Sequence, residues 1–132
     1  MRSARSTALT LALASAALVS ASAWGGAHIS GAVEIDNTSS SAIGTLSDAR
    51  NSADDTQYIG CEIWAYSRNY QQSICAAQDA NGVYRQCYTD DQKFIAIIGT
   101  LQGTAQLRFK WNANGQCKLI ETYLASFFAT KK

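Results

Sequence analysis

The chain has 132 residues, with 11 Lys plus Arg against 10 Asp plus Glu, four cysteines and one histidine. That is one domain's worth of sequence, and the near-neutral balance leaves no electrostatic footprint for nucleic acid or an anionic membrane surface. No motif calls for a cofactor, and none is expected.

Residues 1–23 read as an export signal. Arg2 and Arg5 form a basic start, residues 8–19 are apolar, Ala-rich and too short to span a membrane, and Ala21-Ser22-Ala23 is a small-x-small cleavage site. The mature chain then begins at Trp24, and without Arg2 and Arg5 its acidic residues outnumber the basic ones by one. The expected location is secreted or periplasmic, with no stable membrane insertion. Export with an even cysteine count predicts two disulfides among Cys61, Cys75, Cys87 and Cys117. Zinc is not expected, because the spacings contain no Cys-x-x-Cys and His28 is the only histidine. Residues 24–56 are read as N-terminal strands and a polar loop. They share one domain with a disulfide-stabilised hairpin and helix core over residues 57–132.

Residues 29–35 alternate, with Ile29, Val33 and Ile35 opposite Ser30 and Glu34, which predicts a strand. Residues 36–41 are turn-like, residues 42–46 suit a short strand, and residues 47–56 read as a polar surface loop. Over residues 57–66, Ile59, Cys61 and Ile63 alternate with Tyr58, Glu62, Trp64 and Tyr66, a second strand pattern. Residues 67–70 turn the chain into a hairpin.

That hairpin, residues 74–88, is organised on Asp79-Ala80-Asn81-Gly82, and Asn112-Ala113-Asn114-Gly115 repeats the turn in a later one. The leading Asx side chain bonds its own backbone two residues on, and Gly accepts positive φ. The flanking pattern favours a three-residue loop over a two-residue one. In the second hairpin this register pairs Asn112 with Gln116. Leu107, Phe109 and Trp111 then share a face with Cys117, Leu119 and Tyr123, and Arg108, Lys110, Lys118 and Thr122 take the other. In the first hairpin it sets Cys75 opposite Cys87. The connectivity favoured on that basis is Cys75–Cys87 with Cys61–Cys117.

Between the hairpins the period changes. Phe94, Ile97, Ile98 and Leu101 fall at helical spacing, Thr89 with Gln92 resembles a capping box, and Gly103 suits a helix exit. Phe127 and Phe128 are placed to pack back on the core. The expected class is α+β: a small, largely antiparallel sheet of hairpins, one amphipathic helix across one face, and two disulfides.

Candidate chemistry is sparse. His28 stands alone near the mature terminus, where a solvated residue is the ordinary reading, so no catalytic residue is assigned. Glu62 and Glu121 lie on strands and are the pair a small secreted hydrolase would use. Asp79-Ala80-Asn81-Gly82 lacks the later ligands of a calcium loop. The aromatic row is more informative. Tyr58, Trp64 and Tyr66 share one strand face, and Tyr84 and Tyr88 share the matching face of the next hairpin, opposite the cysteines. If residues 29–35 do not cover it, this row is a platform able to stack on sugar rings or pack on a partner protein. Trp64, Tyr66, Tyr84 and Tyr88 are therefore the candidate binding residues of a non-catalytic binding module for a glycan, a cell-envelope component or a secreted protein. A small hydrolase and a structural surface protein are the alternatives.

Overall fold

The computed structural model describes residues 31–128. The signal segment, its cleavage site, Ile29 and His28 lie outside the described residues.

Seven strands form two antiparallel sheets. β1 (Glu34–Asp36), β2 (Ser41–Thr45), β6 (Gln106–Trp111) and β7 (Cys117–Tyr123) make the first, in that order. β3 (Tyr58–Tyr66), β4 (Tyr70–Gln78) and β5 (Tyr84–Thr89) make the second. Two short helices, α1 (Leu46–Arg50) and α2 (Gln92–Ile98), complete the fold with a 3-10 turn at Ser126–Phe128. The class is α+β, with two sheets where one was expected.

Both Asx-Ala-Asn-Gly turns adopt the three-residue loop. Gly82 donates to the Asp79 carbonyl (3.0 Å), Asp79 N–H donates to the Val83 carbonyl (3.1 Å), and Asp79 Oδ1 accepts from the backbones of Asn81 and Val83. Asn112 repeats the arrangement with Gly115, Gln116 and Asn114. Gly82 and Gly115 have φ of 79° and 75°, the left-handed conformation that glycine adopts without a Cβ clash.

The core lies between the two sheets. Leu107, Phe109, Ala42 and Ile120 of the first face Ile59, Cys75, Ala77 and Cys87 of the second, and Ala49 of α1 and Ile98 of α2 join the cluster. Phe109, Leu107, Cys75 and Ala77 are fully excluded from solvent. α2 packs against β7, β4 and β3, and so touches both sheets.

Several expectations need correction. A bulge between Lys110 and Trp111 shifts the second hairpin by one residue beyond Trp111↔Cys117. Phe109 therefore pairs with Ile120, and Arg108 with Glu121. Ile120 takes the core position assigned to Leu119, and Tyr123 is exposed. The extra residue flips every side chain past it, which regular alternation does not reveal.

The disulfides are Cys61–Cys75 and Cys87–Cys117, not Cys75–Cys87 and Cys61–Cys117. The register placing Cys75 opposite Cys87 is present, but Cys75 is equally opposite Cys61. Hydrogen-bonding parity decides between them. Asp79 and Val83 form a hydrogen-bonded pair, so counting back by twos makes Cys75 and Cys87 one too, the wider pair type. A residue's N–H and C=O point to the same side, so Cys75 meets Cys61 in the closer, non-hydrogen-bonded pair, with Cα atoms 4.0 Å apart. Cys87 reaches Cys117 because the sheets meet there: Tyr88 N–H donates to the Gly115 carbonyl (3.0 Å).

Helix boundaries also move. The N-cap of α2 is Asp91, whose carboxylate accepts from Lys93 N–H at 2.8 Å, while Thr89 ends β5 and bonds Asp91 N–H. The helix exits at Gly99, not Gly103, and its buried residues are Ile95 and Ile98, with Phe94, Ile97 and Leu101 packed at the margin. Part of the expected polar loop is α1, too short to show a period and held by burial of Ser47 and Ala49. Among the described residues of the 29–35 stretch, strand structure begins at Glu34 and pairs with β2. Phe128 does pack back, 2% exposed, with its carbonyl accepting from the Ser47 hydroxyl.

Candidate functional site

The β3–β4–β5 sheet pairs without a bulge, so side-chain alternation sorts it into two faces of different character. The inner face carries Ile59, Ser73, Cys75, Ala77, Cys87 and Thr89, all buried. The outer face carries Tyr58, Trp64 and Tyr66 from β3, Tyr70 and Ile74 from β4, and Tyr84 and Tyr88 from β5. Among these, Tyr58, Trp64, Tyr66, Tyr70, Tyr84 and Tyr88 are exposed, from 38% for Trp64 to 52% for Tyr66. Among the described residues, β1 does not cover them, because it belongs to the other sheet. The candidates Trp64, Tyr66, Tyr84 and Tyr88 thus stand on one face as the alternation implied.

Tyr70 belongs with them and was missed, because residues 67–70 read only as a link. That link is a tight turn in which Arg68 and Asn69 adopt left-handed φ of 72° and 60°, and it returns Tyr70 opposite Tyr66. The two rings lie 5.6 Å apart between centroids. Beyond Cys61, β3 is exposed on both faces, including Ile63, so this hairpin end projects past the core.

The face is not flat throughout. Across the three strands run the rows Tyr58–Gln78–Tyr84, Gly60–Ala76–Gln86 and Glu62–Ile74–Tyr88. The middle row has the smallest side chains, so it forms the floor of a groove of about 350 Å³ walled by Tyr58, Tyr84, Glu62 and Ile74. The Tyr58 and Tyr84 rings lean together over Gln78, with centroids 6.4 Å apart, and the Tyr84 hydroxyl donates to Gln86 Oε1 at 2.6 Å. Partial desolvation, reinforced by the Tyr84 hydroxyl, pushes the Tyr58 phenol up to about 12. Tyr58 therefore stays a neutral donor across the physiological range.

Glu62 and Glu121 are not brought into one cavity. Glu62 lines the groove, whereas Glu121 is ion-paired with Arg108 on the other sheet, with Arg108 Nε donating to Oε2 at 2.7 Å. Asp54 and Asp48 line another cavity and bond nearby groups. Asp54 accepts from the side chain and N–H of Gln57 and from Thr56 N–H, and these bonds lower its pKa to about 2. Asp48 accepts from Gly31 N–H at 2.6 Å. Among the described residues no group of His, Cys, Asp or Glu is placed to hold a metal, and no helix is long and apolar enough to cross a membrane.

No protein-family model, curated protein or solved structure matches the chain.

Proposed function

We propose that the protein is an exported, non-catalytic binding module whose outer β3–β4–β5 face contacts a glycan, a cell-envelope component or a secreted protein. The observation that carries this reading is the exposed set Tyr58, Trp64, Tyr66, Tyr70, Tyr84 and Tyr88 on one sheet face, backed by core at its Ile59, Cys75 and Cys87 end. Contiguous exposed aromatics cost solubility and are used mainly where something stacks on them. Export is supported by the leader pattern of residues 1–23 and by two disulfides that suit an oxidising compartment.

The test is a double variant, Trp64→Ala with Tyr84→Ala. It should fold, because both side chains are partly solvated already, and lose retention on immobilised cell-envelope material that holds the native protein. A variant that folds and is retained unchanged contradicts the reading.

A structural, self-associating role is the second reading, favoured by one observation. β3 lies at a sheet edge, runs nine residues, and carries Glu62 as its only charge. Such an edge invites pairing with another copy. Sedimentation that shows assembly growing with concentration, abolished by Ile63→Lys, is the result that role requires.

A further inference from the structure

We infer that the groove floored by Gly60 and Ala76 is a subsite for one pyranose ring of a neutral polysaccharide. This rests on the outer face being a binding surface and names the chemistry that surface takes.

Shape comes first. On a face built from large side chains, the row Gly60–Ala76–Gln86 is recessed between two taller rows. Alternate residues of a strand stand about 6.8 Å apart, so the recess is about one six-membered ring wide. Its volume of about 350 Å³ is at the small end of the range for small-molecule sites. Gly60 keeps it open: a Cβ placed there meets nothing within 4 Å, so no packing requirement explains a glycine at this strand position.

The lining matches a sugar ring. Tyr58 and Tyr84 offer ring surface at one end and Ile74 an aliphatic wall at the other, which suits the C–H face of a pyranose. Glu62 accepts hydroxyl protons, the Gln86 amide both donates and accepts, and the Tyr58 phenol remains protonated at neutral pH. A ligand with an apolar face and a rim of hydroxyls satisfies both sets.

Charge narrows the class. Among the described residues Glu62 is the only charged side chain lining the groove, and Arg85 on β5 is turned toward Asn37, to whose Oδ1 its Nε donates at 2.8 Å. The described groove lining holds no cation to pair with uronate, sulfate or phosphate groups, so an anionic polymer meets an uncompensated carboxylate. Exposed aromatics continue along the face to Trp64, Tyr66 and Tyr70, so a chain seated in the groove has further rings to run across.

Calorimetric titration of the native protein against soluble β-1,4-glucan, β-1,3-glucan and galactomannan oligosaccharides, with polygalacturonate as an anionic polymer, tests the inference. At least one neutral glycan should bind, polygalacturonate should not bind more tightly, and Gly60→Leu should weaken binding at least tenfold with an unchanged unfolding midpoint. Gln86→Ala, which leaves the floor intact, should weaken it severalfold and serves if Gly60→Leu fails to fold. Binding of no neutral glycan, tighter binding of polygalacturonate, or native affinity in the groove variants overturns the inference. Native affinity in Gly60→Leu and Gln86→Ala with loss in the Trp64→Ala, Tyr84→Ala variant removes the groove and leaves the binding face. Native affinity in all variants removes both.

Discussion

Cys61 and Cys75 face each other across β3 and β4 with Cα atoms 4.0 Å apart and are joined, while Cys87, on the opposite flank of Cys75, bonds to Cys117 instead. One bridge therefore ties neighbouring strands of one sheet, and the other ties the two sheets together. Mapping of peptides under non-reducing conditions should recover Cys61–Cys75 and Cys87–Cys117. Recovery of Cys75–Cys87 contradicts the strand parity argued above.

The two bridges should differ in their contribution. Loop-closure entropy gives roughly 3 kcal/mol for the separation of 14 residues and roughly 3.6 kcal/mol for that of 30. Cys87→Ala with Cys117→Ala should lower unfolding free energy more than Cys61→Ala with Cys75→Ala, because it also releases one sheet from the other. Chemical denaturation of both double variants checks this, and the opposite order contradicts it.

The bulge in the second hairpin has its own signature. Ile120 is 4% exposed and shares the core with Phe109, whereas Leu119 is only half-buried. Ile120→Ala should cost about 2–5 kcal/mol and Leu119→Ala distinctly less. The reverse order of unfolding midpoints indicates unbroken alternation through Lys118. On α2 the same comparison sets Ile95→Ala above Ile97→Ala.

Asp54 and Tyr58 each make stability or spectra depend on pH. The Asp54 carboxyl, held near 2 against an ordinary 3.8, adds stability that is present above pH 3.8 and lost as pH falls toward 2. Asp54→Asn should flatten that acid limb. The Tyr58 phenol, raised from 10 to about 12, adds stability present below pH 10 and lost as pH rises toward 12. In a spectrophotometric titration one of the six tyrosines should ionise late, and Tyr58→Phe should remove that late component. An unchanged titration curve contradicts the assignment.

Much of this architecture was legible in residues. The two Asx-Ala-Asn-Gly turns specify loop length, and from that length the first hairpin's register follows without error. The aromatic row was legible for the same reason, since alternation from Tyr58 to Tyr66 and from Tyr84 to Tyr88 fixes which side chains share a face. What escaped were local breaks in period. The bulge near Lys118 inserts one residue with no turn signal, α1 is shorter than the period that would reveal it, and the turn at Arg68 and Asn69 lacks glycine. The disulfide pairing was recoverable in principle, because the loop at Asp79 and Val83 sets the parity of Cys75 and Cys87. Within the site, the recess over Gly60 depends on three strands lying side by side, so it exists only in three dimensions.

The most direct test of the binding face is the map of backbone amide shifts in labelled protein titrated with the tightest-binding glycan of the calorimetric panel. The largest changes should cluster at Gly60, Glu62, Trp64, Ala76, Gln86 and Tyr88, on the outer side of β3–β4–β5, with little change at Leu107, Arg108 or Glu121. Changes centred on the Arg108–Glu121 pair or on residues 51–57, with the β3–β4–β5 face silent, contradict the account.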